Sequence, residues 1–214
     1  MKNCLITGGG SKFGSLITNS FVNAGHQVYL ITSSPNNYIN IPNVSVIPVD
    51  WKNLNLHDIK NILTNLPNLD VIFFNHNSSA LSLKKFSKNQ IQNLKDWQQN
   101  YFVACQFPFY LVHALKHRIS NSTKIGWMLT DLIKNPVDDQ IGFADYIGNK
   151  FTNACIMKSF AQQFPAIFFG ITPESVGNFA HKDVEKANYI VDLIDNTTDL
   201  NGHIFYSNGD RLDF

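Results

Sequence analysis

The chain opens on a short apolar run, Cys4–Thr7, then a group of glycines, then a stretch from Phe13 to Ala24 with apolar residues at helical spacing. That alternation persists to the end. Further apolar runs of strand length fall at Gln27–Thr32, Val44–Val49, Leu69–Asn75, Lys124–Thr130, Ala166–Thr172 and His203–Tyr206. Helical patterns lie between them at Leu56–Leu66, Lys88–Lys116, Tyr146–Phe164 and Val184–Asp195. Strands that are apolar at successive positions, not alternate ones, suit a sheet covered on both faces. Gly25-His26 and Pro67-Asn68 stop the first two helices. The pattern predicts one doubly wound α/β domain over residues 1–214. Its mostly parallel seven-stranded sheet carries helices on both faces, joined by right-handed crossovers. Pro35–Asn43 and Leu132–Gly142 read as surface loops.

Composition narrows the partners. The 214 residues are 44% hydrophobic, enough for one substantial core. Net charge is +1, charged residues are 15%, and lysines and arginines do not cluster. The chain therefore lacks an electrostatic footprint for nucleic acid or an anionic membrane, and a small-molecule partner is expected. No secretory signal or membrane-length apolar run is seen, so a cytoplasmic location is expected. Asn-x-Ser/Thr triplets at Asn77, Asn121 and Asn196 then read as coincidence. Cys4, Cys105 and Cys155 each sit in apolar surroundings and are expected to be buried free thiols.

The segment Thr7-Gly8-Gly9-Gly10-Ser11-Lys12-Phe13-Gly14 joins the first strand to the first helix. Glycines let a backbone turn tightly and approach a pyrophosphate, whose charge the helix N-terminus favours. A dinucleotide is the ligand this context implies; a simple tight turn is the alternative. At the tip of the second strand an acidic residue would hold the 2′-hydroxyl of NAD. Thr32-Ser33-Ser34 has no carboxylate there, and Lys12 is a nearby cation, which favours NADP(H) with NAD(H) as the alternative.

Tyr146 and Lys150 are four residues apart at a helix start and share one face. An ordinary phenol titrates near pH ~10, too high for efficient proton exchange at neutrality. An adjacent ammonium is expected to lower it. The pair follows the fifth strand, at the end of the sheet where doubly wound folds bind ligands.

With these residues in place the chain resembles the short-chain dehydrogenase/reductase family in its minimal single-domain form, over nearly all its length. Thr7, Gly8 and Gly14 match the family's Thr-Gly-x-x-x-Gly-x-Gly turn, and Asp50 matches its adenine-recognising acid. Asn75-His76-Asn77 stands where the family has Asn-Ala-Gly. Asn100 lies in the position of the family's structural and catalytic asparagine, and Thr130 in that of the catalytic serine. Pro173 and Val176 follow the sixth strand as in the segment that holds the nicotinamide. Asn201–Phe205 and Asn208-Gly209-Asp210 look like the last strand and turn. The resemblance implies hydride transfer between cofactor and a carbonyl or alcohol, with Tyr146, Lys150, Thr130 and Asn100 as the proton relay. Gly8, Gly10, Ser11, Lys12, Phe13, Gly14, Thr32, Ser33, Asp50, Asn75, His76, Tyr146, Lys150, Pro173 and Val176 would hold the cofactor. It also implies helix pairing across a homodimer or homotetramer, with Phe109, Met157 and Phe160 as candidates.

The sequence also departs from that pattern. Lys12 replaces the middle glycine, to crowd the pyrophosphate or clasp it. Asp131 competes with Thr130 for the hydroxyl role, although an ionised carboxylate cannot donate. His76 and Asn77 replace small residues, Glu174 replaces a glycine, and the Glu174–Glu185 lid segment is short. These departures keep open a non-catalytic NADP(H)-binding regulatory or scaffold protein on the same fold. The substrate pocket is placed at His76, Leu132, Ile133, Phe143, Glu174 and Phe179. His113 and His117 read as partly exposed helix residues and Asp138-Asp139 as loop charges, not as metal or paired-acid sites.

Overall fold

The computed structural model describes residues 1–64, 66–76, 90–134, 144–173 and 180–213. Seven strands, β1 (Asn3–Thr7), β2 (Gln27–Thr32), β3 (Val44–Pro48), β4 (Val71–Phe74), β5 (Lys124–Met128), β6 (Ile167–Thr172) and β7 (Ile204–Tyr206), form one sheet in the order β3-β2-β1-β4-β5-β6-β7. Every strand pairing is parallel. The helices are α1 (Lys12–Asn23), α2 (Leu56–Thr64), α3 (Gln90–Tyr101), α4 (Phe107–Leu115), α5 (Ala144–Gln163) and α6 (Ala180–Asn196).

Two cores explain the continuous apolar runs. Successive residues of a strand point to opposite faces. Cys4 and Ile6 join Phe73, Phe169, α1 and α6 on one side, while Leu5 joins Ile72, Trp127, Phe168, α4 and α5 on the other. Each face must be apolar because each is buried, and each large aliphatic or aromatic side chain so removed from water contributes roughly 1.5–3 kcal/mol. At the amino ends of the strands, Lys2 and His26 meet Asp195 at 2.5 and 2.9 Å, latching β1 and β2 to the end of α6. Lys124 donates to the Ile194 and Thr197 carbonyls, a cation where that helix ends.

The structure revises several expectations. The Pro35–Asn43 loop begins with a 3₁₀ turn at Pro35–Tyr38, and Tyr38 is buried. The long helix is not uniform: a π turn at Phe102–Gln106 separates α3 from α4. Cys4 and Cys105 are buried, but Cys155 is exposed, because it falls on the outer side of α5. Met157 and Phe160 pack inside the chain's own core and so present no interface, while Phe109 stays exposed. His113 and His117 are exposed, and the His113 ring rests on Phe109, Phe160 and Phe164. Helix α6 already starts at Ala180, inside the segment read as a lid. Among the described residues no helix is long and apolar enough to cross a membrane.

Candidate active site

The strand order reverses between β1 and β4, which opens a crevice at their carboxyl ends. Thr7 closes β1 there. Its hydroxyl accepts from the backbone N–H of Asn75 at 3.2 Å and of His76 at 3.3 Å, binding the two strand ends together. The glycine turn lies directly on this join. Gly8 has φ 79°, and a Cβ on it would sit 2.5 Å from His76 Cα. A Cβ on Gly14 would sit 2.1 Å from the Gly8 carbonyl oxygen. Both positions require glycine. Ser11 caps α1, accepting from Gly14 N–H at 2.9 Å, and donates to the Gly8 carbonyl at 3.2 Å. Gly10, Ser11 and Lys12 are exposed and the first turn of α1 carries no acid, so its positive end is free to face an anion. Phe13 turns inward and anchors the helix against the α1–α6 core.

The neighbouring strand ends complete the crevice. Thr32 is buried and accepts from Ser34 N–H at 3.1 Å, whereas Ser33 is exposed. A Cβ on Gly10 would come within 2.9 Å of Ser34 Oγ, so this serine flanks the turn. Asp50 lies beyond β3, exposed. Hydrogen bonds from Asn53 Nδ2 at 2.6 Å and Lys52 N–H at 3.0 Å hold its carboxyl below the usual range. A separate cleft of about 550 Å³ runs from Asp50 between β3 and α2, lined by Pro48, Asn53, Leu54, Asp58 and Ile62 among others. Asn75 turns its amide to the Gly8 carbonyl at 3.4 Å. Pro173 is buried at the end of β6, next to Thr172, whose buried hydroxyl finds no partner among the described residues. Val176, with Asn77, Asp138, Asp139, Phe143, Glu174 and Phe179, lies outside the described residues.

Thr130 and Asp131 follow β5, Thr130 capping the short turn Asp131–Ile133. The Thr130 hydroxyl donates to Asp131 Oδ1 at 3.4 Å and lies close enough to Tyr146 to favour its phenolate, while Asp131 acts on that phenol through its charge. Lys150 is buried, with Nζ donating to the Met128 carbonyl at 2.6 Å and lying 5.6 Å from the Tyr146 ring centre. The expected effect of Lys150 on Tyr146 is not what the geometry delivers. Burial pushes the phenol's pKa up, Asp131 pushes it further, and only the Thr130 hydroxyl opposes them. Lys150 does not figure among the influences on the phenol, and its ammonium is held by the Met128 carbonyl. Burial also lowers its own pKa to about 8. Asn100 is buried on the last turn of α3, and its Nδ2 finds no acceptor among the described residues.

His76 turns its ring into the interior. Its ring is buried, stacked on Trp51 at 5.0 Å, with Phe107 and Phe74 edge-on. Nε2 lies 2.7 Å from the Val103 carbonyl, which can only accept, so Nε2 carries the proton. Nδ1 then accepts from Thr7 Oγ1 at 2.5 Å. Burial lowers its pKa to about 4. The native state therefore refuses a proton that the unfolded chain takes up below the ordinary value of 6.5, and stability falls as pH drops from there to about 4. Between pH ~7.5 and ~5 the parent should lose about 2 kcal/mol more than His76→Phe, read from urea midpoints at the two values. Equal losses in both proteins would show that His76 is not held neutral.

Sequence reasoning passed over Tyr38 and Trp51. The Tyr38 hydroxyl donates to the Gly9 carbonyl and braces the glycine turn from outside. Pro35, in the first turn of its 3₁₀ segment, was the available signal. Trp51 gave none, because its partner His76 is remote in sequence.

No protein-family model matches the chain, and no curated protein sequence does. Solved structures do match it in fold. A carbonyl reductase from Pseudomonas aeruginosa PAO1, in complex with NADP, superposes at TM-score 0.78 with 15% identity and full coverage of both chains. The apo SCOR enzyme of Clostridium thermocellum gives TM-score 0.73 and 16% identity, over 96% of this chain and 90% of that one. A protein of Escherichia coli CFT073 assigned as a short-chain dehydrogenase gives 0.78 and 17%, over 96% and 95%. The chain has the single-domain Rossmann-type fold of these structures.

Proposed function

We propose that the protein is an NADP(H)-dependent short-chain oxidoreductase that interconverts a small ketone or aldehyde with its alcohol. The observation that carries this reading is the Thr130–Tyr146 hydroxyl pair beside buried Lys150, at the same end of the sheet as the glycine turn. Gly8, Gly10, Gly14 and the N-terminus of α1 would hold the pyrophosphate. Ser33 and Lys12, both exposed and without a nearby carboxylate on the β2 tip, would favour the 2′-phosphate. A nicotinamide held there would supply hydride to the carbonyl carbon, or accept it from the alcohol. Tyr146 gives its proton to the carbonyl oxygen as charge develops there. A phenol raised by burial stays protonated at neutral pH, the state a donor needs. Thr130 orients the same oxygen and stabilises its charge. Lys150 holds the proton that restores Tyr146, and the buried amide of Asn100 would help hold a water that relays protons to Lys150.

Leu94, Trp97, Phe109, Tyr110 and Phe151 expose apolar side chains on α3, α4 and α5, and we assign them to a homodimer or homotetramer. A cytoplasmic location accords with this activity. Screening a panel of ketones and aldehydes for oxidation of NADPH and of NADH tests the whole reading. Turnover is expected with NADPH preferred, and kcat/KM should fall as pH rises through about 8, where Lys150 loses its proton. The second reading, a dinucleotide-binding protein without turnover, draws on Lys150 being engaged by the Met128 carbonyl. Tight NADPH binding with no oxidation across the panel would select it.

A further inference from the structure

Helix α3 runs into α4 through the π turn Phe102–Gln106, and Pro108 follows at once. In an α-helix the Val103 carbonyl would accept from the N–H of residue 107, and in a π-helix from that of residue 108. Here the Phe107 N–H goes to Phe102. Pro108 has no N–H to give. The Val103 carbonyl thus loses both its α-helical and its π-helical backbone donor in the interior, where an unpaired polar group is costly. His76 Nε2 takes the donor's place at 2.7 Å. The same proline removes the α-helical donor of the Ala104 carbonyl, and Asn153 Nδ2 reaches that oxygen from α5 at 3.0 Å. Asn100 sits in the turn just before this opening, its Nδ2 still without an acceptor among the described residues. On its other side the His76 ring is tied to Thr7, the residue that begins the glycine turn.

We infer that His76 is a positioning residue: its Nε2–H substitutes for the amide that Pro108 lacks, holds the π turn open, and fixes Asn100 relative to the glycine turn through Thr7. The ring thus spans two parts of the crevice that the sequence places far apart. Its consequence for turnover rests on the oxidoreductase reading above, whereas its consequence for the helix does not.

Two variants separate the hydrogen bond from the packing. His76→Phe keeps an aromatic ring on Trp51 but cannot donate, and His76→Gln restores a donor amide. Deuterium uptake across residues 99–110 is expected to speed up about tenfold or more in the phenylalanine variant, as local opening becomes easier, and to return toward the parent's in the glutamine variant. In NADPH oxidation, kcat should fall by roughly 10–100-fold in the phenylalanine variant, the cost of a misplaced group, with the KM for NADPH little changed. That loss should vanish when measured on an Asn100→Ala background, because the two residues act as one. Unchanged uptake in the phenylalanine variant overturns the inference, and so do independent, additive losses with Asn100→Ala. If the phenylalanine variant does not fold, the glutamine variant decides: parent-like uptake supports the donor role and accelerated uptake sinks it. If the parent itself never turns over, the oxidoreductase reading fails, and the exchange measurement still decides the role of His76.

Discussion

Tyr146→Phe is expected to lower kcat for carbonyl reduction by about 10²–10⁴-fold, the usual range for loss of a positioned acid. Affinity for NADPH should stay at the parent's value, because only a hydroxyl beside Thr130 is removed. Tyr146 is half-buried and a phenyl ring fills the same space, so the variant loses little packing and the protein should remain folded. Steady-state kinetics beside a binding titration checks both halves. A variant that reduces substrate at the parent's rate would falsify the proton-donor role and leave only the cofactor-binding reading.

Gly14→Ala should act earlier, at cofactor binding. The added methyl would lie 2.1 Å from the Gly8 carbonyl and 2.8 Å from Asn75 Nδ2. The first of these is backbone and cannot swing aside, so the turn or the start of α1 must move. We expect NADPH affinity to drop about 100-fold, equivalent to about 3 kcal/mol, with a lower Tm from overpacking. Gly148→Ala is the matched control. It lies in α5 between Tyr146 and Lys150, and a Cβ there meets nothing within 4 Å. It should leave binding intact and stabilise the helix by roughly 0.5–1 kcal/mol. Calorimetric titration of both variants decides the matter: equal affinities would mean that the glycine turn does not approach the cofactor.

The strands were legible because burial of both sheet faces leaves an unbroken apolar signature, as in Val71–Phe74 and Ile167–Thr172. The glycine turn was legible because part of its constraint is local: a Cβ on Gly14 would meet the Gly8 carbonyl, whereas the backbone that excludes one on Gly8 is His76, on the adjoining strand end. The π turn was hidden despite Pro108, since apolar spacing continues through it and outweighs one proline. The burial of Met157 and Phe160 was hidden too. Periodicity says that one face of α5 is apolar, not whether the chain itself or a second copy covers it. Cys155 was misplaced for the related reason that apolar neighbours in sequence do not put a residue on the covered side.

The sequence by itself determined the order of strands and helices, the turn that needs glycine, and the helical spacing that sets Tyr146 and Lys150 on one face. Apart from the close approach of His76 to Gly8, these depend on residues close together in the chain. Protonation was decided only by the tertiary structure. Tyr146 is raised by burial and by Asp131, Lys150 is lowered by burial, and His76 is kept neutral between Thr7 and Val103. A pKa follows the water excluded and the charges gathered around a group, and here those come from strands and helices far away in sequence.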